Sequence, residues 1–319
     1  MSSLTLYAGP RATENTRHLL VHIVYMVALL YLTAAPYVAA QDPLRSKFGE
    51  RLKSLVEASD AIVGIAIKDL NSGDEFVING DEIFPQASSI KIHILTELYR
   101  QAEAGKFRLS DVRSLPEPAK VGGSGVLAEL GQNSVSMSIR DYAVLMIVLS
   151  DNTATNLLLE RVGRDNVNQT LASLGFTTTR LQRKMMDDAA RGRGEENLST
   201  PAEAARLMEL LFKCDISNRA ACDDLLAILK IPKRGDLRAG LPPEVPIAFK
   251  PGGIPGVTTE WAIVYLKERP YVVVVMENYG LEADAGAAMK EISRALYDYF
   301  WRRGRATRYG TYVDPALIH

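Results

Sequence analysis

The sequence predicts an α/β (α+β) protein in which a five-stranded antiparallel sheet is flanked by the two terminal helices and an all-α lobe is inserted between its strands. Two observations support this fold class. Segments rich in β-branched residues lie toward both ends of the 319-residue chain, and helical patterns fill the region between them. If the two groups of strands form one sheet, the helical block between them must be a separate lobe.

The first group of strands is a predicted hairpin. A helix over residues 43–58 precedes it, because apolar residues recur there at helical spacing. Residues 61–70 are rich in isoleucine and valine and predict a strand. The run Asn71-Ser72-Gly73-Asp74 is typical of a turn, so residues 75–78 are expected to return antiparallel to that strand.

Helix start and stop signals mark the middle of the chain. The segments Ser138-Ile139-Arg140-Asp141 and Thr200-Pro201-Ala202-Glu203 each place a cap residue three positions before an acid, as helix N-termini do. Gly105 and Gly163 follow helical patterns and are expected to end them. The predicted helices cover residues 88–104, 142–149, 152–162 and 201–212.

The second group of strands lies near the C-terminus. Three segments rich in Val, Ile and Tyr predict strands at residues 245–249, 260–266 and 271–277. A last helix is expected over residues 284–301, with Asp284 as its cap. The predicted order is therefore a helix, two strands, a block of helices, three strands and a helix.

The first forty residues are predicted to be a secretory signal peptide, residues 1–40. Arginines precede an apolar run at residues 19–32, and small residues end in Val38-Ala39-Ala40 ahead of Gln41. An uncleaved membrane anchor is the alternative, because about 20 apolar residues can span a bilayer. We expect an exported protein, periplasmic or secreted, that has no membrane partner once the signal is removed.

The remaining chain, residues 41–319, is expected to be one catalytic domain with two lobes. Residues 43–86 and 245–303 would form the α/β lobe, and residues 87–244 would form the α lobe. A cleft between two lobes is a common place for a small-molecule site.

Composition narrows the classes of function. The chain is 47% hydrophobic and 24% charged, with a net charge of −1, which is ordinary for a globular protein and gives no reason to expect a nucleic-acid partner. None of the four histidines lies near the two cysteines, so we expect no metal and no cofactor. Cys214 and Cys222 form either a disulfide or two unpaired thiols. We expect a monomer acting on a small molecule.

The strongest local motif is Ser88-Ser89-Ile90-Lys91 at the start of a predicted helix. Residues three apart lie on one helix face, so the Lys91 amine can reach the Ser88 hydroxyl. A serine becomes a good nucleophile when a neighbouring base takes its proton. A partly buried lysine beside another cation can be neutral near pH 7 and act as that base. Alone, the same pattern is also common on solvated helix surfaces.

A second motif, Ser150-Asp151-Asn152, follows a predicted apolar helix. Ser150 could relay a proton to a leaving group, and Asn152 could bind a substrate amide. Asp151 is expected to brace the turn. Taken alone, these three residue types also make an ordinary capping turn.

A third motif, Lys250-Pro251-Gly252-Gly253, ends a predicted strand. Lys250 could hold a carboxylate and lower the pKa of a nearby lysine. The glycines let the backbone approach a ligand, and the N–H of Gly253 could pair with that of Ser88 as an oxyanion hole. The alternative is a strand-end turn, for which Pro-Gly-Gly is ordinary.

The order of these three motifs resembles the serine β-lactamase and penicillin-recognising superfamily, in its class A-like branch. The resemblance spans roughly residues 43–301 and includes the segments that flank the motifs, Phe84-Pro85-Gln86-Ala87, Thr153-Ala154-Thr155-Asn156-Leu157-Leu158 and Ile254-Pro255-Gly256-Val257. It implies a β-lactamase-like fold and an enzyme, a serine hydrolase acting on cyclic amides.

The resemblance also implies a role for each matching residue. Ser88 would attack a β-lactam carbonyl with the help of Lys91, and Ser150 would pass the proton to the departing nitrogen. The amides of Ser88 and Gly253 would stabilise the oxyanion. The substrate-binding residues would be Asn152, Lys250, Gly252 and Gly253.

The loop after Arg180-Leu181 departs from the family pattern. Class A enzymes carry there a glutamate that activates the deacylating water, with an asparagine four residues on; here Met185 and Ala189 occupy these positions. Asp187 is the candidate substitute base, and the alternative is that it is a solvated loop charge. The other acids nearby are Asp188, Glu195 and Glu196.

Pro251 is the second departure, because the family usually has a hydroxyl residue there. Proline removes that hydroxyl and one backbone donor. Thr258 or Thr259 would be needed to compensate.

Three functions remain open from the sequence. The first is a class A-like β-lactamase that works through an acyl-enzyme on Ser88, with slow deacylation if no base replaces the glutamate. The second is a penicillin-binding peptidase or esterase. The third is a binding module that acylates once and keeps the adduct.

Overall fold

The computed structural model describes residues 42–131, 134–281, 286–307, 309–314 and 317. The chain divides into two compact units, residues 1–46 and 47–319, and the second unit is described below. The predicted signal segment and the predicted cap Asp284 lie outside the described residues. No helix among the described residues is long and apolar enough to cross a membrane.

Nine strands and ten helices make up the described fold. The strands are β1 (Ile62–Asp69), β2 (Glu75–Ile78), β3 (Phe84–Pro85), β4 (Val112–Ser114), β5 (Ser136–Ser138), β6 (Leu198–Ser199), β7 (Ile247–Ile254), β8 (Val257–Val264) and β9 (Tyr271–Asn278). The helices are α1 (Pro43–Glu57), α2 (Lys91–Glu103), α3 (Ile139–Val148), α4 (Asn152–Val162), α5 (Arg164–Ser173), α6 (Asp188–Gly192), α7 (Pro201–Lys213), α8 (Arg219–Lys230), α9 (Asp236–Ala239) and α10 (Ala287–Arg303).

The central sheet has five strands in the order β2-β1-β9-β8-β7, and every pair is antiparallel. Strands from the two ends of the chain therefore meet where β1 pairs with β9, with Ile62 opposite Asn278. The predicted antiparallel sheet is confirmed. The hairpin of β1 and β2 is also confirmed, with β2 at the predicted bounds.

Each face of the sheet packs against helices. On one face, Phe48 of α1 stacks on Tyr299 of α10 at 4.4 Å between ring centroids, and Tyr271 of β9 stacks on Phe300 at 4.2 Å. Successive side chains of a strand alternate between faces. The neighbouring residues of β9 therefore point to the other face, where α7 packs, and they belong to a core shared with the helices: Val272, Val274 and Met276.

The local helix signals are confirmed by capping contacts. Ser138 and Asp141 form a capping box at the start of α3, and the Thr200 hydroxyl accepts a hydrogen bond from the N–H of Glu203 at the start of α7. Gly163 ends α4. The helices α5 and α8 were not among those the sequence predicted. Cys214, which ends α7, is joined by a disulfide to Cys222 in α8. Of the two alternatives, a disulfide or two unpaired thiols, the structure therefore has the disulfide.

Three predicted elements are wrong in their bounds. The strand predicted at residues 260–266 is β8, which runs from Val257 to Val264. The segment from Lys250 to Gly253 does not end a strand, because β7 runs on to Ile254 and pairs with β8 throughout, with Pro251 opposite Glu260. A proline is tolerated because β7 is the edge strand and its missing N–H lies on the unpaired side. The helix predicted from residue 88 begins as a 3₁₀ turn, Ala87–Ile90, and becomes α-helical at Lys91.

Candidate active site

Ser88 lies in the 3₁₀ turn that leads into α2, and a buried network fixes this turn to the sheet. Ala87, directly before it, has a left-handed φ of 46°, an uncommon conformation for a residue with a side chain. The Ser89 hydroxyl contacts the Thr259 hydroxyl at 2.7 Å, and the Thr259 hydroxyl donates to the carbonyl of Gln86 at 3.0 Å. Strand β8 therefore holds the turn from both sides of Ser88.

Lys91 is fully buried and its amine has four oxygen atoms in reach. Its Nζ lies 3.1 Å from Ser88 Oγ, 2.9 Å from Ser150 Oγ, 2.7 Å from the Ser150 carbonyl and 3.0 Å from Asn152 Oδ1. A carbonyl or amide oxygen can only accept, whereas a hydroxyl can also donate. A neutral amine can satisfy this setting: two N–H groups donate to the two carbonyl-type oxygens, and the single lone pair accepts from one of the two hydroxyls at a time.

Burial favours that neutral form. It lowers the pKa of Lys91 to about 7, because the charged form is poorly solvated, and the carboxylate of Asp151 opposes this only in part. A lysine with a pKa near 7 can take a proton from one hydroxyl and return it to another at neutral pH. The predicted proximity of Ser88 and Lys91 is therefore observed, and burial shifts the pKa of Lys91 in the direction that proton transfer needs.

The turn from Ser150 to Asn152 brings two polar groups to the same amine. Ser150 has a left-handed φ of 53°, and its Oγ lies between Lys91 and Lys250, 3.2 Å from Lys250 Nζ. The Asn152 side chain donates to the carbonyl of Gly122 at 3.1 Å. The Asp151 carboxylate accepts from the backbone N–H groups of Val126, Leu127 and Ala154, so it braces the turn as expected.

Lys250 is a second buried lysine at the site. Burial lowers its pKa well below the ordinary value, and the charges of Lys91 and Lys233 lower it further. Its Nζ donates to the carbonyl of Pro251 at 2.6 Å, so that carbonyl faces the site rather than β8. Backbone groups of an antiparallel strand alternate between neighbour and open edge, so the N–H of Gly253 faces the same open edge.

Gly252 has no room for a side chain. A Cβ there would lie 2.7 Å from the Ser88 nitrogen, 2.9 Å from the Ser89 nitrogen and 2.8 Å from Thr259 Oγ1. Strand β7 thus runs directly alongside the turn that carries Ser88. The backbone N–H groups of Ser88 and Gly253, the expected oxyanion hole, border one cavity.

This cavity has a volume of about 710 Å³, within the range of small-molecule sites. Ser88, Ser150, Lys250 and Gly253 line it. Among the described residues, no group of three or more His, Cys, Asp or Glu side chains is arranged to hold a metal ion.

The loop predicted to lack the deacylating base lies beside Ser88. Met185 is buried, and the Asn156 side chain fixes its backbone: Met185 N–H donates to Asn156 Oδ1 at 2.9 Å, and Asn156 Nδ2 donates to the Met185 carbonyl at 3.0 Å. Met185 and Ser88 share the lining of a small cavity of about 160 Å³.

Asp187 is not brought to Ser88, contrary to its role as the candidate substitute base. Its carboxylate caps α6 by accepting from the N–H of Ala190 at 2.9 Å, and it lines a different cavity. The side chains of Asp188 and Glu196 border the small cavity instead, and each contacts an arginine: Asp188 with Arg191 at 3.3 Å and Glu196 with Arg183 at 2.9 Å.

Thr259 does not replace the hydroxyl lost at Pro251, because its own hydroxyl is used in the buried network beside Ser89. Thr258 borders the 710 Å³ cavity. The sequence motifs also missed cationic groups on the opposite wall, Lys233 and Arg234. They stand sixteen or more residues before Lys250 without a recognisable motif, so only the fold brings them to the site.

The chain is similar to known proteins over most of its length. A model described as the β-lactamase enzyme family matches residues 47–300. An imipenem-hydrolyzing β-lactamase of Enterobacter cloacae is 24% identical over 276 residues, which cover 84% of this chain and 94% of that one.

Solved structures agree with the fold as well. A β-lactamase from Sphaerobacter thermophilus is 30% identical with a TM-score of 0.72, covering 80% of this chain and 97% of that one. The L158E mutant of a protein named PBP-A, described as an acyl-enzyme complex with penicillin G, is 26% identical with a TM-score of 0.73 and covers 80% and 97%. Because the family match spans most of the chain, this protein belongs to the β-lactamase enzyme family, in its class A-like branch.

Proposed function

We propose that this protein is a serine hydrolase that opens β-lactams through an acyl-enzyme on Ser88, and that it releases the product slowly. The observation that carries the proposal is the position of the Lys91 amine, 3.1 Å from Ser88 Oγ and 2.9 Å from Ser150 Oγ, in a buried setting that favours its neutral form.

Acylation would begin when Ser88 Oγ attacks the lactam carbonyl carbon and gives its proton to neutral Lys91. The N–H groups of Ser88 and Gly253 would stabilise the oxyanion. When the lactam C–N bond breaks, the departing nitrogen would take the proton of Ser150, and the Lys91 ammonium would restore it. The two proton transfers that involve Lys91 run over contacts of 3.1 Å and 2.9 Å within the protein.

Substrate binding would use the groups around this path. Lys250, kept charged, would attract a substrate carboxylate and polarise Ser150, which it contacts at 3.2 Å. Asn152 would bind a substrate amide, and Gly252 would let the ligand and the β7 backbone approach Ser88 closely. Together with Gly253, these residues form the proposed binding set.

Slow deacylation is the second part of the proposal. Hydrolysis of the ester needs a base beside the attacking water. Met185 offers none, and Asp187 caps a helix in another cavity. Asp188 and Glu196 border the small cavity that Ser88 also lines, but each carboxylate is already paired with an arginine, Asp188 with Arg191 and Glu196 with Arg183.

A penicillin-binding peptidase or esterase is the second candidate. The buried Met185 favours it over a fast β-lactamase, because such enzymes need no fast hydrolysis of a β-lactam ester. The similarity to PBP-A, whose L158E mutant is described as a penicillin G acyl-enzyme, is in line with that reading. A binding module that keeps its adduct is the limiting case in which the β-lactam ester is not hydrolysed at all.

We also propose the exported location and the two-lobe division of the domain as the sequence predicts them. The helices between β3 and β7 share one hydrophobic core with the sheet. Limited proteolysis tests the division, because it should cut at the lobe boundaries, residues 86–87 and 244–245, if the two lobes separate.

The test is intact-mass measurement of the purified protein with penicillin G, a cephalosporin, imipenem and a simple thioester, each followed over time. We expect a one-to-one adduct that peptide mapping assigns to Ser88 and that decays over minutes to hours. The Ser88→Ala variant is the matched control and should form none. An unmodified wild-type mass together with no turnover of any compound would refute the proposal.

A further inference from the structure

Glu260 is a buried carboxyl that takes no part in the chemistry proposed above. It lies on β8, where only 1% of its surface is exposed. Its neighbour Trp261 packs against His93 of α2, so by strand alternation Glu260 points to the opposite face of the sheet. A carboxylate is rarely buried without a purpose, since an ionised group loses its hydration there.

Glu260 is attached to one wall of the 710 Å³ cavity. Its Oε2 accepts from the N–H of Asp236 at 2.7 Å and from the N–H of Leu237 at 3.3 Å. Its Oε1 has no hydrogen-bond partner among the described residues. The residues just before Leu237 line the cavity opposite Ser88, and we call them the 233–236 wall: Lys233, Arg234, Gly235 and Asp236.

Gly235 shows how closely the wall approaches this carboxylate. A Cβ on Gly235 would lie 2.6 Å from Glu260 Oε1 and 2.6 Å from an edge carbon of the Phe249 ring. Its backbone is extended, with φ of −177°, so the constraint is the space and not the conformation. Glu260 and Phe249 together therefore form the surface on which the wall rests.

Glu260 acts on two lysines of the site by charge: it pairs across the sheet with Pro251, directly after Lys250, so the Glu260 and Lys250 side chains leave the sheet on opposite faces of neighbouring strands. Burial lowers the pKa of Lys250 and lowers that of Lys233 to about 8, and the Glu260 charge opposes the effect on both. The pKa of Glu260 is itself raised to about 7 by burial and by Asp236, while backbone N–H groups lower it. These groups are the titratable side chains that act on Glu260 from β7 and from the wall.

We propose that Glu260 is a positioning residue of the Ser88 site: it holds the 233–236 wall against the sheet, and its negative charge offsets that of Lys250 from behind the strand. The inference rests on the proposed function, in which Lys250 must stay protonated to attract an anionic substrate. It adds a residue on the far face of the sheet to the groups that set substrate binding.

The two parts of this role have separable signatures. Without the Glu260 charge, the pKa of Lys250 falls further, so Lys250 loses its proton at a lower pH. The alkaline limb, which is the fall of the acylation rate as pH rises, therefore moves to lower pH. Displacing the wall while keeping the charge should weaken substrate binding and leave that limb in place. An opposite charge near a titrating group shifts its pKa by about one unit, which sets the expected scale.

The experiment uses three variants of the full chain. Glu260→Gln keeps an oxygen for the N–H groups of Asp236 and Leu237 but removes the charge. Gly235→Ala displaces the wall and keeps the charge. Glu277→Gln is the matched control, because Glu277 is another largely buried carboxyl on the neighbouring strand. Its Oε1 has no hydrogen-bond partner in the described part of the chain, and its Oε2 accepts from the N–H of Gly286.

Two measurements are made on each variant. The first is the second-order rate of acylation by penicillin G from pH 6 to 10. The second is the ¹³C NMR titration of the Lys250 side chain in the free protein, assigned by its loss in Lys250→Arg. We expect Glu260→Gln to lower both the alkaline limb and the Lys250 midpoint by about 0.5–1 pH unit. Glu277→Gln should match wild type, and Gly235→Ala should raise the substrate concentration needed for half-maximal acylation without moving the limb.

An unchanged Lys250 titration in Glu260→Gln would overturn the charge role, and normal binding by Gly235→Ala would overturn the positional role. Absence of acylation in wild type would instead refute the proposed function. The NMR titration does not depend on acylation, so the two failures are distinguishable.

Discussion

Substituting Gly252 by alanine should slow acylation of Ser88 and also lower the stability of the fold. The added Cβ would lie 2.7 Å from the Ser88 nitrogen, about 0.7 Å inside an ordinary contact, and 2.9 Å from the Ser89 nitrogen. Both obstacles are backbone atoms, so no side-chain rotation relieves the clash. The 3₁₀ turn and β7 must separate by several tenths of an ångström.

The expected magnitudes follow from that displacement. Overpacking a tight contact costs about 1–3 kcal/mol of unfolding free energy. A reacting atom displaced by about 1 Å loses about 100-fold in rate, because the near-attack geometry is lost. Since Ser88 Oγ moves relative to Lys91 Nζ and to the N–H of Gly253, we expect acylation to slow by about 30- to 100-fold.

The assay measures the rate of adduct formation by stopped-flow or quenched mass spectrometry, together with the unfolding midpoint in urea. Gly49→Ala is the control, because a Cβ there meets no atom of the described residues within 4 Å. It should acylate at the wild-type rate. A Gly252→Ala variant that acylates as fast as wild type would refute the close approach of β7 to Ser88, and an equal loss in both glycine variants would refute its specificity.

Three further predictions concern the loop, the pH and the disulfide. Met185→Glu should speed loss of the penicillin adduct by about 100-fold, the usual scale for a well-placed general base, and unaltered decay of the intact-mass peak would remove the loop from deacylation. Acylation of Ser88 should rise about tenfold per pH unit below pH 7 and stop rising near pH 7, ahead of the fall at higher pH where Lys250 loses its proton, because the pKa of Lys91 is lowered to about 7 and only the neutral amine accepts a proton; a flat rate profile from pH 5 to 7 would contradict this. Reducing the bond between Cys214 and Cys222, which are 8 residues apart, should lower the unfolding free energy by about 2–3 kcal/mol without slowing acylation; a urea midpoint unaffected by reductant would contradict the estimate.

Local signals were the parts of the fold that the sequence predicted well. The cap at Ser138, the cap at Thr200 and the stop at Gly163 each depend on neighbours within four residues, so their patterns are complete in the sequence. The hairpin of β1 and β2 was predictable for the same reason, since its turn lies between two short β-rich runs.

Properties that depend on distant parts of the chain were not predictable. Lys250 to Gly253 was expected to end a strand because proline and glycine favour turns, yet β7 continues because it is an edge strand, and edge position is a property of the whole sheet. Asp187 and Asp188 are adjacent and chemically alike, but the start of α6 directs them to different cavities. Glu260 had no motif to mark it, because its partners lie on a segment 23 and 24 residues away.

The edge position of β7 also bears on the shape of the ligand that this groove accepts. An extended peptide that adds to a sheet edge gains affinity from backbone donors at alternate positions of the edge strand. At the open edge of β7, Pro251 has no N–H, and its carbonyl already accepts a hydrogen bond from Lys250. The N–H of Gly253 therefore has no companion donor two residues earlier on this edge. A long chain aligned by strand addition would therefore lose a backbone hydrogen bond at Pro251, whereas a compact acyl donor needs only the donor at Gly253. The same missing donor weakens pairing of a second copy of the sheet along this edge.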